Sequence, residues 1–276
     1  MGNYGILRQA KLIYSRRLVL FSIPFNGDLG LVEDALSTGK VAEVYFAGPG
    51  RGDASSAHAR KVVERGVLLK LLSLCRRSKV RTNLLCNSFT LAFERLPSVF
   101  RLIRSLPCVD AVTVADPFAL PAFRKAFPKK ELQASVIMAL DSVEKVEAAL
   151  RLGATSVCLA TRLNRDAQAL EAVKRLKRRF PGFKVKLLAN HTCRAECVFS
   201  AWHYLSYALQ DRVRFEQRQC FCPATTRKEL ADVPFIRPED VASYARKGWA
   251  DMFKLAYRNS DSDVLRRVYD AYFGGG

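Results

Sequence analysis

Eight short apolar runs recur along this chain, most followed by a longer stretch with helical spacing, and this repeat constrains the fold more than any other feature. The runs are Leu18–Ile23, Ala42–Ala47, Thr82–Cys86, Ala111–Ala115, Gln133–Met138, Ser156–Ala160, Lys184–Ala189 and Met252–Ala256. Most end at polar residues or at Gly and Pro, and several are rich in Val, Ile and Phe. Runs of this length and composition suit strands covered on both faces. Helical spacing marks His58–Arg77, Val143–Leu152, Asp166–Phe180, Val241–Lys247 and Asp263–Phe273. Gly153, Gly248 and the Pro181-Gly182 pair supply helix stops, while Asp141-Ser142 and Asn164 are candidate N-caps.

Two α/β architectures use such an alternation. A doubly wound open sheet would carry a G-x-G-x-x-G turn after its first strand if it bound a dinucleotide, and none is present. Eight strands in 276 residues match a (β/α)8 TIM-like barrel, whose typical size is about 250 residues. The expectation is one such barrel over residues 1–276, with a cysteine-rich insertion at about 192–235 after strand 7. The Gly48–Asp53 segment, GPGRGD, fits a βα loop and matches no phosphate-binding fingerprint.

In this fold the active site forms at the C-terminal ends of the strands. The polar residues expected there are Asn26, Asn87, Ser88, Asp116, Arg162, Asn164, Arg165, Asn190, His191, Lys254 and Arg258, with Cys86 closing the third strand. The insertion falls on the same face.

Composition narrows the setting. At 49% hydrophobic the chain can bury a large core, yet no apolar run reaches the roughly 18 residues of a membrane span. The N-terminal stretch lacks the continuous apolar segment of a signal peptide, so a cytoplasmic location is expected. The formal charge of +19, from 45 Lys and Arg against 26 Asp and Glu, is consistent with RNA or another polyanion as a partner. It is equally consistent with a solvated basic surface. The basic clusters Arg76, Arg77, Lys79, Arg81 and Lys174, Arg175, Lys177, Arg178, Arg179 fall at helix ends without interleaved aromatics.

Four of the eight cysteines are Cys193, Cys197, Cys220 and Cys222, spaced C-x3-C and C-x-C. Clustered thiols in a chain without secretion signals point to metal ligation more than to disulfides. Helical spacing after Cys197 places Cys193 and Cys197 on one face of a helical first turn, where thiolate is favoured. Zinc and a [4Fe–4S] cluster both fit four cysteines; C-x-C favours the cluster, with zinc the runner-up. His191 and His203 are nearby alternative ligands. Cys75 and Cys158 read as small apolar residues, and Cys108 as the start of a strand.

The segment LLANHTCRAECVFSAWHY (Leu187–Tyr204) resembles the hallmark of the collagenase-like peptidases of family U32, which include oxygen-independent ubiquinone-biosynthesis hydroxylation proteins and RNA hydroxylases. PFIRPEDVASYARKGWADMFKLAYR (Pro234–Arg258) and VTVADPFAL (Val112–Leu120) resemble two further blocks, so the resemblance spans roughly residues 80–273. It departs at Asn190-His191-Thr192, where members described as proteases carry His-Gly before the first cysteine, and at Val198 and Ser200, which replace a common Pro and Arg. The short branch related to the ubiquinone-hydroxylation proteins is the nearest in pattern. The resemblance implies a [4Fe–4S] cluster on Cys193, Cys197, Cys220 and Cys222, and a sister subunit of the same family as partner.

Three functions follow as expectations. The first is an iron–sulfur hydroxylase, or a subunit of one, acting on a quinone precursor or RNA, with Asn190, His191, Arg165, Lys254 and Arg258 in the site. The last three residues would hold an anionic group. The second is a peptidase, against which stands the absence of any H-E-x-x-H motif; a Cys193/His191 nucleophile pair is its one form. The third is a non-catalytic, cluster-stabilised protein that binds RNA or a partner.

Overall fold

The structure is a computed structural model that describes residues 19–49, 63–88, 91, 93–194, 197, 199, 202, 204–205 and 233–274. Eight parallel strands close into a barrel in chain order: β1 (Phe21–Pro24), β2 (Val41–Ala47), β3 (Arg81–Cys86), β4 (Ala111–Val114), β5 (Glu131–Ala134), β6 (Ser156–Cys158), β7 (Lys184–Leu188) and β8 (Met252–Lys254). Closure is made by β1 against β8, with Phe21 beside Phe253 and Ser22 beside Lys254. A helix follows every strand: α1 (Leu29–Ser37), α2 (Arg65–Arg77), α3 (Leu96–Ser105), α4 (Leu120–Ala126), α5 (Val143–Arg151), α6 (Ala167–Arg175), α7 (Val241–Lys247) and α8 (Ser262–Gly274).

The strands form where the apolar runs predict, because their outward residues are gripped by helices. Val44 and Phe46 on β2, Leu84 on β3, Val112 on β4, Leu132 on β5 and Val185 and Leu187 on β7 are buried in one continuous core with Leu68, Leu72, Val146, Leu170 and Val173 from the helices. The alternate residues of each strand face the lumen. Phe21 adds an aromatic cluster at the β1–β8 seam, 5.1 Å from Phe273 and 6.0 Å from Tyr272.

Local chemistry sets several boundaries. Gln133–Met138 is not one strand: β5 ends at Ala134, and Ser135 accepts a bond from the Ile137 amide at 3.3 Å, turning Val136–Met138 into a 3₁₀ turn. Ser142 caps α5 as expected. Asn164 does not cap α6; Asp166 does, accepting from the Ala169 amide at 2.9 Å. Cys108 precedes β4, in a left-handed turn at φ 56°. α2 is described from Arg65, so the earlier part of the expected His58–Arg77 helix, like most of GPGRGD, lies outside the described residues. Helices α1, α3 and α4 are not among the helical stretches expected from the sequence and appear as the connections that closure requires; α3 buries Leu96, Val99 and Ile103 along one face. No described helix is long and apolar enough to cross a membrane.

Candidate active site

A TIM-barrel lumen is ordinarily filled by branched apolar side chains. Here its middle is polar. Lys186 of β7 donates to both carboxylate oxygens of Glu43 of β2, at 2.6 and 2.8 Å, and both side chains are fully buried. Ser22 donates to Glu43 at 2.7 Å, Asn83 at 3.2 Å, and Asn83 bonds onward to Gln133 and Thr113. Toward the N-terminal end, Glu131 accepts from Arg81 at 2.6 Å and Lys184 at 3.0 Å. Burial pushes the carboxyls of Glu43 and Glu131 up, and the neighbouring cations, Lys186 foremost, outweigh it and bring both down, Glu131 to about 2. A fixed charge ladder therefore forms the floor beneath the mouth.

Above it, β8 presents Lys254 to the lumen, 7% exposed. Its ammonium lies 4.1 Å from the centroid of the Tyr45 ring, and among the described residues no hydrogen bond or ion pair holds it. The Tyr45 hydroxyl donates to the Leu255 carbonyl at 2.6 Å, which fixes the ring beneath the amine. Burial lowers the Lys254 pKa; the nearby charges of Lys186 and Arg258 lower it further, while Cys158 and Glu43 oppose them. Arg258, half-buried, is likewise held down by burial, to about 10. Cys158 is fully buried, and burial raises its pKa. It stays a neutral, small buried thiol as the sequence suggests, facing the lumen within electrostatic reach of Lys254 and Lys186.

The β7 loop closes one side of the mouth. Asn190, 4% exposed, accepts from the Ala256 amide at 2.6 Å through Oδ1, while its buried Nδ2 donates to nothing. His191 follows, with a buried Nδ1 that also lacks a partner and a pKa lowered by burial to about 4, so the ring is neutral at pH 7. Thr192 takes the Tyr257 hydroxyl at 3.2 Å to its amide and 2.8 Å to its own hydroxyl. These bonds tie the segment that leads into Cys193 to the β8 loop that carries Arg258. Asn87, at the end of β3, adds another unpartnered buried oxygen. Unsatisfied buried polar atoms are uncommon in folded proteins and call for an explanation; here Asn87, Asn190 and His191 all lie at the C-terminal end of the barrel.

Cys193 and Cys197 lie in this segment, both half-buried. Neither is helical: residues 191–194 and 197 are irregular, so the expected helical first turn at Cys193 is not seen among the described residues. Cys220, Cys222 and His203 lie outside the described residues. No group of three or more His, Cys, Asp or Glu suited to a metal forms among the described residues. The donor chemistry of the two described thiols, soft and accessible beside the mouth, fits an iron–sulfur cluster or zinc.

The remaining expected residues divide. Arg165 is exposed at the rim and donates to the Phe235 carbonyl at 3.1 Å. Asn164 is buried and bonds the carbonyls of Leu188 and Pro234, joining the β6 and β7 loops. Asn26 clasps the β8 loop through Ser260 and Ser262; Asp116 folds its own turn onto the Phe118 amide; Arg162 pairs with Asp141 at 3.6 Å. Cys86 is buried at the end of β3. Residues that sequence reasoning missed are Glu43, Tyr45, Cys158 and Lys186. The available signal was a charge or a phenol inside an otherwise apolar strand. The basic clusters at the ends of α2 and α6 belong to the opposite face, where Lys177 pairs with Asp251 at 2.6 Å beside a cleft of about 450 Å3.

Among solved structures, a U32 peptidase, Mk0906, superposes with a TM-score of 0.62 over 87% of this chain and 94% of its own, at 15% identity. A designed cube-shaped protein cage (TM-score 0.48, 8% identity, 93% and 72% covered) and a native KDPGal structure (0.41, 10%, 83% and 95%) are too distant to bear on function. No curated protein shows significant similarity to the sequence. The profile of peptidase family U32 matches residues 28–221, which takes in six of the eight strands, β2 to β7, and reaches Cys220. With well over half of its length matched, the chain belongs to peptidase family U32.

Proposed function

We propose that this chain is an iron–sulfur enzyme, or a subunit of one, that binds a small anionic substrate in its barrel mouth and takes part in oxygen-independent hydroxylation of a quinone precursor. The observation that carries the reading is the pairing of a largely buried Lys254 side chain, given no acceptor by the described residues, and half-buried Arg258 with a loop that bears Cys193 and Cys197. A buried cation without an acceptor is costly, and an anionic ligand is what removes the cost.

Each residue has a definable part. Lys254 and Arg258 hold the anionic group, Arg258 through its planar fork and Lys254 as a point charge. Asn190 Nδ2 and the neutral His191 ring offer orienting hydrogen bonds. Cys193 and Cys197, with Cys220 and Cys222, would hold a [4Fe–4S] cluster, and such a group supplies electron transfer or activates the oxygen donor. Tyr45 and the Glu43–Lys186 floor keep water from entering below. A sister subunit of the same family would cover the rim.

One feature supports a second substrate. Phe93, Phe118, Trp202 and Tyr257 are 54%, 79%, 59% and 40% exposed on loops of the C-terminal face, and exposed aromatics on a basic protein suit stacking of single-stranded RNA. The peptidase reading has no H-E-x-x-H motif in the sequence to support it.

Anaerobic purification tests the cluster. The expected product is brown, with about four iron atoms per chain and matching sulfide, and is bleached by Cys193→Ala. A colourless, zinc-loaded protein would sink the proposal.

A further inference from the structure

We infer that Lys254 is an imine-forming amine, so that the barrel mouth takes an aldehyde or ketone bearing an anionic group. The inference rests on the part of the proposed function that gives Arg258 the anionic group, with Lys254 reacting from its neutral form, and needs nothing from the cluster.

The geometry carries the argument. Lys254 projects from the C-terminal end of β8 into the mouth, 93% shielded from solvent by the 7% exposure of its residue. Among the described residues no carboxylate, carbonyl or hydroxyl accepts from its nitrogen, whereas Lys186 is paired with Glu43. The contact the described residues give it is the Tyr45 ring face, worth about 0.5–2 kcal/mol to the ammonium, which offsets only part of the burial. The groups that face it are Tyr45 and Glu43 from β2, Cys158 from β6, Lys186 from β7, and Arg258 from its own loop. Burial and two of these neighbours, Lys186 and Arg258, favour the neutral amine, which is the nucleophilic form. Arg258 remains a cation at neutral pH and can take the substrate's anionic group while the carbonyl carbon meets the amine.

The step balances without a co-reactant. The Lys254 lone pair forms the C–N bond as the carbonyl π pair moves to oxygen, giving a carbinolamine after proton transfer from nitrogen to oxygen. The hydroxyl then leaves with a second proton as water, and the nitrogen lone pair completes the C=N bond. Neither carbon nor nitrogen changes by way of an external oxidant or reductant.

The test treats the full chain with glyoxylate and sodium cyanoborohydride at pH 7, which reduces any imine to a stable secondary amine, and maps the adduct by peptide mass spectrometry. Lys254 is expected to label at least about tenfold faster than the exposed lysines, in keeping with a lowered amine pKa. Lys254→Arg keeps the charge and should lose the adduct while melting as the parent does. Should that variant not fold, labelling rates of Lys254 and the exposed lysines in the parent protein still decide. Labelling of Lys254 no faster than that of exposed lysines overturns the inference. Glycolate and acetaldehyde separate the two readings. If glycolate raises the melting temperature but glyoxylate leaves no adduct, anion binding stands and the imine falls. If acetaldehyde labels Lys254 as fast as glyoxylate does, the imine stands and the anion site falls.

Discussion

Lys186 and Glu43 meet across the barrel lumen with two bonds of 2.6 and 2.8 Å, both side chains 1% exposed, beneath Lys254 of β8. The pair is costly to break and cheap to replace, because each ion is desolvated and only its partner compensates. It also puts a fixed positive charge below Lys254, so the floor and the mouth are electrostatically one unit.

Lys186→Met alone should destabilise the protein by about 3–5 kcal/mol, since Glu43 is left charged and buried. Adding Glu43→Gln should recover most of that loss, because the amide oxygen still accepts from Ser22. Urea titration of both variants checks this; a single variant as stable as the parent would show that the pair is not strained by desolvation.

Glu131 gives the acid behaviour. Its pKa falls from 4.5 to about 2 on folding, because Lys186, Arg81 and Lys184 outweigh its burial. A depressed folded value means the unfolded chain binds the proton more readily. The contribution, about 3 kcal/mol, is fully present above pH 4.5 and drains away as pH falls toward 2. Glu131→Gln should therefore flatten stability against pH across that window. A variant whose acid unfolding overlays the parent's would refute the assignment.

Gly153 ends α5 at φ +108°, a conformation that a side chain resists, and an added Cβ would come within 2.9 Å of the Arg124 Cβ. The same residue's carbonyl accepts two bonds from Arg124, at 3.0 and 2.8 Å, so the loop cannot drift away freely. Gly153→Ala should cost about 1–3 kcal/mol, or several degrees in melting temperature. An unchanged melting temperature would show that the turn relaxes.

These sites show what was legible in the sequence. The barrel was, because apolar runs such as Lys184–Ala189 record burial against helices, which is a local property of composition. The Gly153 and Gly248 stops were, for the same reason. The polar lumen was not, because Glu43 and Lys186 are 143 residues apart and only closure of the sheet brings them together. Cys158 and Tyr45 were hidden because strand alternation says which residues share a face, and not which face meets a lysine. A helical turn at Cys193 is not what the chain forms, since helical spacing further on does not oblige it to be helical there. Asn164 read as a cap because Asn favours caps, but Asp166 holds the amide and frees Asn164 to join two loops.

Asn190 offers the sharpest check on how the β7 loop is held. Its Oδ1 takes the Ala256 amide at 2.6 Å, and two residues later Thr192 takes the Tyr257 hydroxyl, so two bonds fix the entry to the cysteine segment against the β8 loop. Asn190→Ala leaves the Ala256 amide without its acceptor, at a cost of about 1–3 kcal/mol. Tyr257→Phe removes only a half-exposed hydroxyl and should cost about 0.5–1.5 kcal/mol. If the clasp positions Cys193, iron retained after anaerobic purification should fall in the order parent, Tyr257→Phe, Asn190→Ala, with every cysteine still present. Iron content that stays constant while Asn190→Ala melts earlier would confine the clasp to stability. Iron loss in step with melting temperature would tie the loop's anchoring to the proposed cluster.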